Sequence, residues 1–383
     1  MHKTISSIIA VAVTAGIVAV SLPAAAQAAA EIQAVQAEKI PERAGRIDAY
    51  QARFGRSRPL IAVIGENDGT ELTDFIIPYG VLARSGAADV MALATRAGSL
   101  RMLPGVQLRP DASIAEFDAL HPEGADYVIV PAVRNSGDAA LLAWVAAQGA
   151  KGATLVGICD GALVLANSGA MKGHRGTAHW ATHAQRQEMY PATEWLENVR
   201  YVADGRVVSS AGISAAMPTA LALVAAIAGE ARADEMAREL GVADWSTRHD
   251  SAPFHPRFGV NLRAHATRFT NPWFYPVQKI GVPVAPGVDE IALALTVDAY
   301  SRTGRSRAYA LSGNGEPLRT RSGLTVLPDV VEGGLAPDRM LPAFDGTPPA
   351  RVFDQALAGI AASYGRLTAY RVALDFEYPG FHD

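Results

Sequence analysis

From residue 60 to residue 210 the chain alternates short, continuous apolar runs with amphipathic helical patterns, and no other feature restricts its fold as much. Apolar, β-rich runs fall at 60–64, 90–95, 127–131 and 154–158, with helices predicted at 73–84 and 139–148. A strand apolar on both sides of its pleat needs cover on both faces, which parallel strands linked by crossover helices provide. Runs at 199–203 and 207–210, joined by Asp204-Gly205, predict a hairpin, and an apolar helix at 217–228 closes the unit. Residues 59–250 are therefore expected to form one α/β domain around a mostly parallel sheet, long enough for a proper core.

The rest of the chain divides by texture. Residues 1–28 carry Lys3, an apolar stretch over 8–22, Pro23 and the small-residue ending Ala26-Gln27-Ala28, the pattern of a cleavable secretory signal peptide. The mature protein is then expected to be exported, periplasmic or secreted, with no stable membrane span; an uncleaved N-terminal anchor is the alternative. Residues 29–58, with Arg43, Arg46, Arg53, Arg56 and Arg58, predict a solvated helical lead-in. Residues 251–281 are rich in Pro and aromatic residues and predict an extended connector; His249 and His255, with Phe254 and Phe258, are expected in surface packing roles at its start, with bordering the pocket as the alternative. Residues 282–383 contain a partial repeat: at a constant offset of 218, residues 84–111 match 302–329 at nine of 28 positions, among them Gly86/Gly304, Arg101/Arg319 and Asp111/Asp329. A half-domain of this kind needs a surface to dock on.

Composition narrows the partners. With 34 basic and 38 acidic side chains and no Lys/Arg run, the chain lacks what neutralises a phosphate backbone, so a small molecule rather than nucleic acid is the expected partner. A single cysteine excludes an intramolecular disulfide and any Cys-rich metal site, leaving Cys159 either an inert core residue or a reactive one. It sits in Gly157-Ile158-Cys159-Asp160-Gly161, between an apolar run and a helical pattern. Strand, glycine-flanked nucleophile and helix make a nucleophile elbow, and the helix N-terminus favours a thiolate. Asp160 is expected to point away from the sulfur and cap the helix. His179 and His183 have metal-pair spacing, with His174 nearby, but lack the Glu of a metallohydrolase helix and an obvious third ligand. No metal and no cofactor are expected.

Three segments in order resemble the ThiJ/PfpI superfamily. The elbow and its continuation to Thr177-Ala178-His179-Trp180 resemble that family's elbow and T-T-H-W segment; residues 204–214 resemble the hairpin before its last helix; residues 68–79 resemble its first loop and helix. The resemblance implies a flavodoxin-like three-layer sandwich, related to class I glutamine amidotransferases and commonly dimeric, so a homodimer is expected. It also implies Cys159 as nucleophile, Asp74 as the acid beside it and His179 as a proton shuttle. A carboxyl group kept protonated by burial can donate a hydrogen bond that favours the thiolate.

Two departures follow. Protease-like members have a histidine after the nucleophile where this chain has Asp160, so peptidase activity is not expected. The family's Pro-Gly-Gly is Pro131-Ala132-Val133 here, with Arg134 at the pocket rim; backbone amides of Ala132, Val133 and Asp160 are the candidate oxyanion donors. Gly212, Ser214 and Trp180 are further pocket candidates. The leading expectation is a cysteine-dependent hydratase or glyoxalase-like enzyme acting on an isocyanide or a 2-oxoaldehyde. The alternative is a non-catalytic periplasmic ligand-binding or stress-sensing domain, related to the ligand domains of transcriptional regulators.

Overall fold

The computed structural model describes residues 44–330 and 336–382. The segment expected to be a signal peptide and the expected lead-in up to residue 43 lie outside them. Strand β1 (Leu60–Gly65) is buried at every position. Its side chains alternate between two cores, Ile61 and Val63 joining Phe75 and Leu221 on one face, Ala62 and Ile64 joining Val128 and Trp144 on the other. The chain continues through α1 (Leu72–Arg84), β2 (Asp89–Ala94), a hairpin of β3 (Leu100–Leu103) and β4 (Gln107–Arg109), β5 (Ala112–Ser113) and α2 (Ile114–Leu120). Then come β6 (Tyr127–Val130), α3 (Ala139–Ala150), β7 (Thr154–Gly157), α4 (Gly161–Asn167), β8 (Tyr201–Asp204), β9 (Val207–Ser210), α5 (Ala216–Ala228) and α6 (Glu230–Leu240).

The seven strands order β8-β9-β7-β6-β1-β2-β5, with every neighbouring pair parallel except the β8–β9 hairpin. This is a mixed α/β, flavodoxin-like sandwich. From β1 the chain first builds outward to β2 and β5, then returns to the other side with β6. Ligand sites of open α/β sheets lie at such a switch point, beyond the carboxyl ends of the strands. Here those ends lead into residues 66–70, 131–134 and Cys159.

The C-terminal part supplies α7 (Leu262–Phe274), β10 (Gln278–Pro283), α8 (Glu290–Ser301), β11 (Ser306–Ser312), β12 (Leu318–Arg319), β13 (Thr325–Leu327), β14 (Asp329–Val330), β15 (Arg339–Met340), α9 (Pro349–Tyr364) and α10 (Arg366–Asp375). A second, all-parallel sheet orders β14-β11-β10-β15. A third sheet crosses between the two parts, because β13 pairs antiparallel with β4. Helix α8 packs on α1, and their apolar side chains belong to one core. No helix of the described residues is long and apolar enough to cross a membrane.

Two local expectations differ from the structure. Residues 45–58, expected to be helical, run without helix. Their arginines reach separate anchors: Arg53 bonds the carbonyls of Lys151 and Gly152, and Arg56 pairs with Glu123 and Asp126. The stretch expected to be an extended connector contains the 13-residue helix α7, whose Phe269, Trp273 and Phe274 remain exposed.

Candidate active site

The elbow forms as the glycine spacing predicts. Cys159 has φ 56°, in the left-handed region that a non-glycine residue occupies only when its surroundings impose it. A Cβ on Gly161 would lie 1.9 Å from the Val130 carbonyl oxygen, and one on Gly157 would lie 2.8 Å from the Ala162 nitrogen. Only residues without side chains let β6, β7 and α4 converge this closely. The Cys159 N–H donates to Ser210 Oγ at 3.1 Å, and the residue is 6% exposed.

Asp74 lies in the first turn of α1 and is fully buried. Its Oδ2 accepts the Ala132 N–H at 3.2 Å, while its Oδ1 is buried without a hydrogen-bond partner. Burial, reinforced by the nearby Glu71, pushes the Asp74 carboxyl well above its ordinary range. Glu71 is itself pushed up to about 8 by burial, with Arg302 opposing and Asp298 reinforcing the shift. One guanidinium serves both acids: Arg302 bonds Glu71 and lies 2.6 Å from Asp298.

The sulfur sits in a demanding field. Burial first, then Asp74, Asp160, Glu377 and Glu71, push the Cys159 thiol well above its ordinary value. A thiolate is therefore compatible with this site only while neighbouring carboxyl groups hold protons, which is the state that favours Asp74 as a donor through Oδ1.

The backbone donors divide. The Ala132 N–H is engaged by Asp74, and the strip is fixed by Glu71 N–H to Ala132 O at 2.8 Å and Arg134 N–H to Gly69 O at 2.7 Å. The amides of Val133 and Asp160 have no hydrogen-bond partner among the described residues. Arg134 is exposed and its side chain lies over Gly69. The Asp160 side chain does not cap α4, contrary to expectation. It accepts from Thr182 Oγ1 at 2.7 Å instead, a tertiary partner that replaces the local one.

His179 faces the C-terminal turn. Its Nδ1 accepts the Ala181 N–H at 3.2 Å, and its Nε2 lies 3.0 Å from the Asp375 carbonyl. Those partners define a neutral tautomer with Nε2–H donating, and both ring nitrogens are engaged. His183 pairs with Glu197 at 3.2 Å and His174 with Asp204 at 3.3 Å, so the three histidines face different acceptors. The Trp180 indole donates to Leu374 O, and its backbone N–H donates to Glu377 Oε1 at 2.7 Å.

Glu377 is the residue that sequence reasoning missed. It is buried, has φ 53°, and bonds His249 at 2.9 Å. His249, expected in surface packing with a place at the pocket edge as the alternative, is buried by this pair and borders the cavity. A Cβ on Gly212 would meet His179 at 2.7 Å and Glu377 at 2.8 Å, and Ser214 Oγ donates to Glu377 O at 2.7 Å. No spacing rule links residue 377 to residue 249; only an acid set among aromatic neighbours near the chain's end marks it. A cavity of roughly 420 Å³ opens beside this pair, bordered by Ser214, His249, Met217, Leu295, Phe353 and Phe376.

Residues 60–226 match the DJ-1/PfpI family. The chain is 28% identical over 161 residues to the isonitrile hydratase of Pseudomonas putida, a match covering 41% of this chain and 67% of that protein. It is 31% identical over 126 residues to the HTH-type transcriptional regulator CdhR of Pseudomonas aeruginosa, covering 32% of this chain but only 37% of the regulator. Among solved structures, Drosophila melanogaster DJ-1beta matches with a TM-score of 0.44 at 25% identity, covering 49% of this chain and 100% of that one.

Proposed function

Because residues 60–226 form a DJ-1/PfpI family domain, we propose that this chain is a cysteine-dependent enzyme that adds water to a small electrophile, an isocyanide or a 2-oxoaldehyde. One juxtaposition supports it: a cysteine in strained left-handed backbone at the carboxyl end of the sheet, with a buried acid, Asp74, whose second oxygen has no partner. On an isocyanide, Cys159 Sγ bonds the terminal carbon while Asp74 delivers its proton to that carbon and takes up the thiol proton. Water then adds to the same carbon, the C–S bond breaks, and the thiol is restored as an N-substituted formamide leaves. On a 2-oxoaldehyde, the sulfur bonds the aldehyde carbon and the thiol proton reaches its oxygen, giving a hemithioacetal. The hydrogen on that carbon then moves as a proton, through an enediol, to the adjacent carbonyl carbon, and water breaks the C–S bond of the resulting thioester to release a 2-hydroxy acid and restore the thiol. The free amides of Val133 and Asp160 are the donors suited to developing negative charge, with Ala132 holding Asp74 in place. His179 serves to position the C-terminal turn, since both its nitrogens are engaged.

One observation favours a second function. Burial, reinforced by the surrounding carboxyl groups, opposes ionisation of Cys159, which suits a domain that binds a ligand without turning it over. Turnover of an aryl isocyanide and of methylglyoxal, measured beside Cys159→Ala, separates the two. Activity lost with the sulfur supports the enzyme; equal rates in both proteins overturn it. We further propose that residues 1–28 direct export, so that cell fractionation recovers the processed chain outside the cytoplasm.

A further inference from the structure

We propose that residues 278–376 are a degenerate second copy of the first domain, which covers in cis the face across which two such domains would pair, so that the chain is a monomer with one armed half. The element starts carry the correspondence. Strand β1 begins at Leu60 and β10 at Gln278; α1 at Leu72 and α8 at Glu290; β3 at Leu100 and β12 at Leu318; β4 at Gln107 and β13 at Thr325. All four pairs share the 218-residue offset. Backbone detail follows it as well: Gly86 and Gly304 have φ 66° and 67°, and the hairpin bond Met102 N–H to Val106 O recurs as Thr320 N–H to Leu324 O. Strand β15 pairs parallel with β10 as β6 does with β1. Helices α9 and α10 meet at Gly365 (φ 89°, ψ 151°), as α5 and α6 meet at Gly229 (φ 88°, ψ 158°).

The contacts between the halves are those of a two-fold axis, in which residue i of one copy meets j of the other and j meets i. Strands β4 and β13 pair as Gln107 with Leu327, Leu108 with Val326 and Arg109 with Thr325. Under the offset the central pair is one position facing itself, and the outer two are the same pair exchanged. The ion pairs repeat the rule. Arg84 bonds Asp289 at 2.7 Å, and its counterpart Arg302 bonds Glu71, the counterpart of Asp289. On the helices, Gly80 lies against Ile291, while its counterpart Asp298 accepts from Thr73, the counterpart of Ile291.

The second half keeps the pairing elements and lacks the chemistry. Ala292 stands at the position of Asp74, and after β15 the chain passes directly to α9 without a counterpart of β7, the elbow, α4 or the β8–β9 hairpin. What remains is a partner surface attached to its own target.

The test is a crosslink placed on the axis. Gln107→Cys and Leu327→Cys are introduced together in full chain carrying Cys159→Ser; residue 107 is exposed, and opposed residues on antiparallel strands are close enough for a disulfide. Mild oxidation is expected to close the bond within one chain, migrating as a monomer on a non-reducing gel, with loss of free thiol. Sedimentation velocity of the unmodified chain is expected to give a monomer. A disulfide-linked dimer, retention of both thiols in folded protein, or a stable dimer in sedimentation would overturn the proposal. None of these readouts depends on catalytic activity.

Discussion

The imidazole of His249 and the carboxylate of Glu377 meet at 2.9 Å with side chains 4% and 1% exposed, joining positions 128 residues apart. Removing one partner of a buried pair leaves the other charge without compensation, at a cost of about 3–5 kcal/mol. His249→Ala is expected to lower stability by that order in urea unfolding, and His249→Ala with Glu377→Leu by clearly less than the sum of the single changes. Burial alone would raise Glu377, but the hydrogen bonds from the His249 ring and from the Trp180 backbone N–H hold it below its ordinary 4.5. Its contribution is therefore present above pH 4.5 and is lost as pH falls through the lower folded value. Additive single and double variants would show that the pair is not coupled.

Asp74→Asn keeps the shape of the acid but has no proton to transfer. The rate of isocyanide hydration is expected to fall by about 10²–10⁴-fold, the usual worth of a positioned acid. The same variant removes a carboxylate that pushes the Cys159 thiol up. The midpoint of iodoacetamide labelling against pH is accordingly expected to move down; an unchanged midpoint would uncouple Asp74 from the sulfur.

Glu71 gives a pH dependence of the opposite sense to Glu377. Its folded value, pushed up to about 8, lies above the ordinary 4.5. Between those values the native state holds a proton that the unfolded chain has released, so this group's contribution weakens as pH rises through the window. Glu71→Gln is expected to flatten the decline in urea midpoint between pH 5 and 8; a slope unchanged from the parent would refute the assignment.

Gly161→Ala places a methyl 1.9 Å from the Val130 carbonyl, a backbone atom unable to step aside. The expected loss is at least the ~1–3 kcal/mol typical of overpacking, with the elbow disrupted. Gly313→Ala meets nothing within 4 Å and is the control, expected to melt with the parent. Equal melting temperatures for the two variants would contradict the packing described at the elbow.

Much of the first domain was legible because its signals are local. Strand β1 is apolar at every residue, and an elbow flanked by Gly157 and Gly161 announces a close approach before any partner is known. Residues governed by distant partners were misjudged. Asp160 looked like a helix cap and is bound by Thr182; His249 looked superficial and is buried by Glu377. Arg53, Arg56 and Arg58 belong to the stretch expected to be helical, yet each is held by a different carbonyl, which fixes a non-helical path. His179 occupies the position its motif implies, but the Asp375 carbonyl decides its tautomer.

The antiparallel pairing of β4 with β13 joins two segments of one chain. Two separate subunits lose such an interface once their concentration falls below its dissociation constant. A tethered partner instead experiences an effective concentration set by the connecting chain, of millimolar order for short flexible links, however far the protein is diluted. Pairing of the two faces, and with it the placement of Arg302 against Glu71, is thereby independent of how many molecules are nearby.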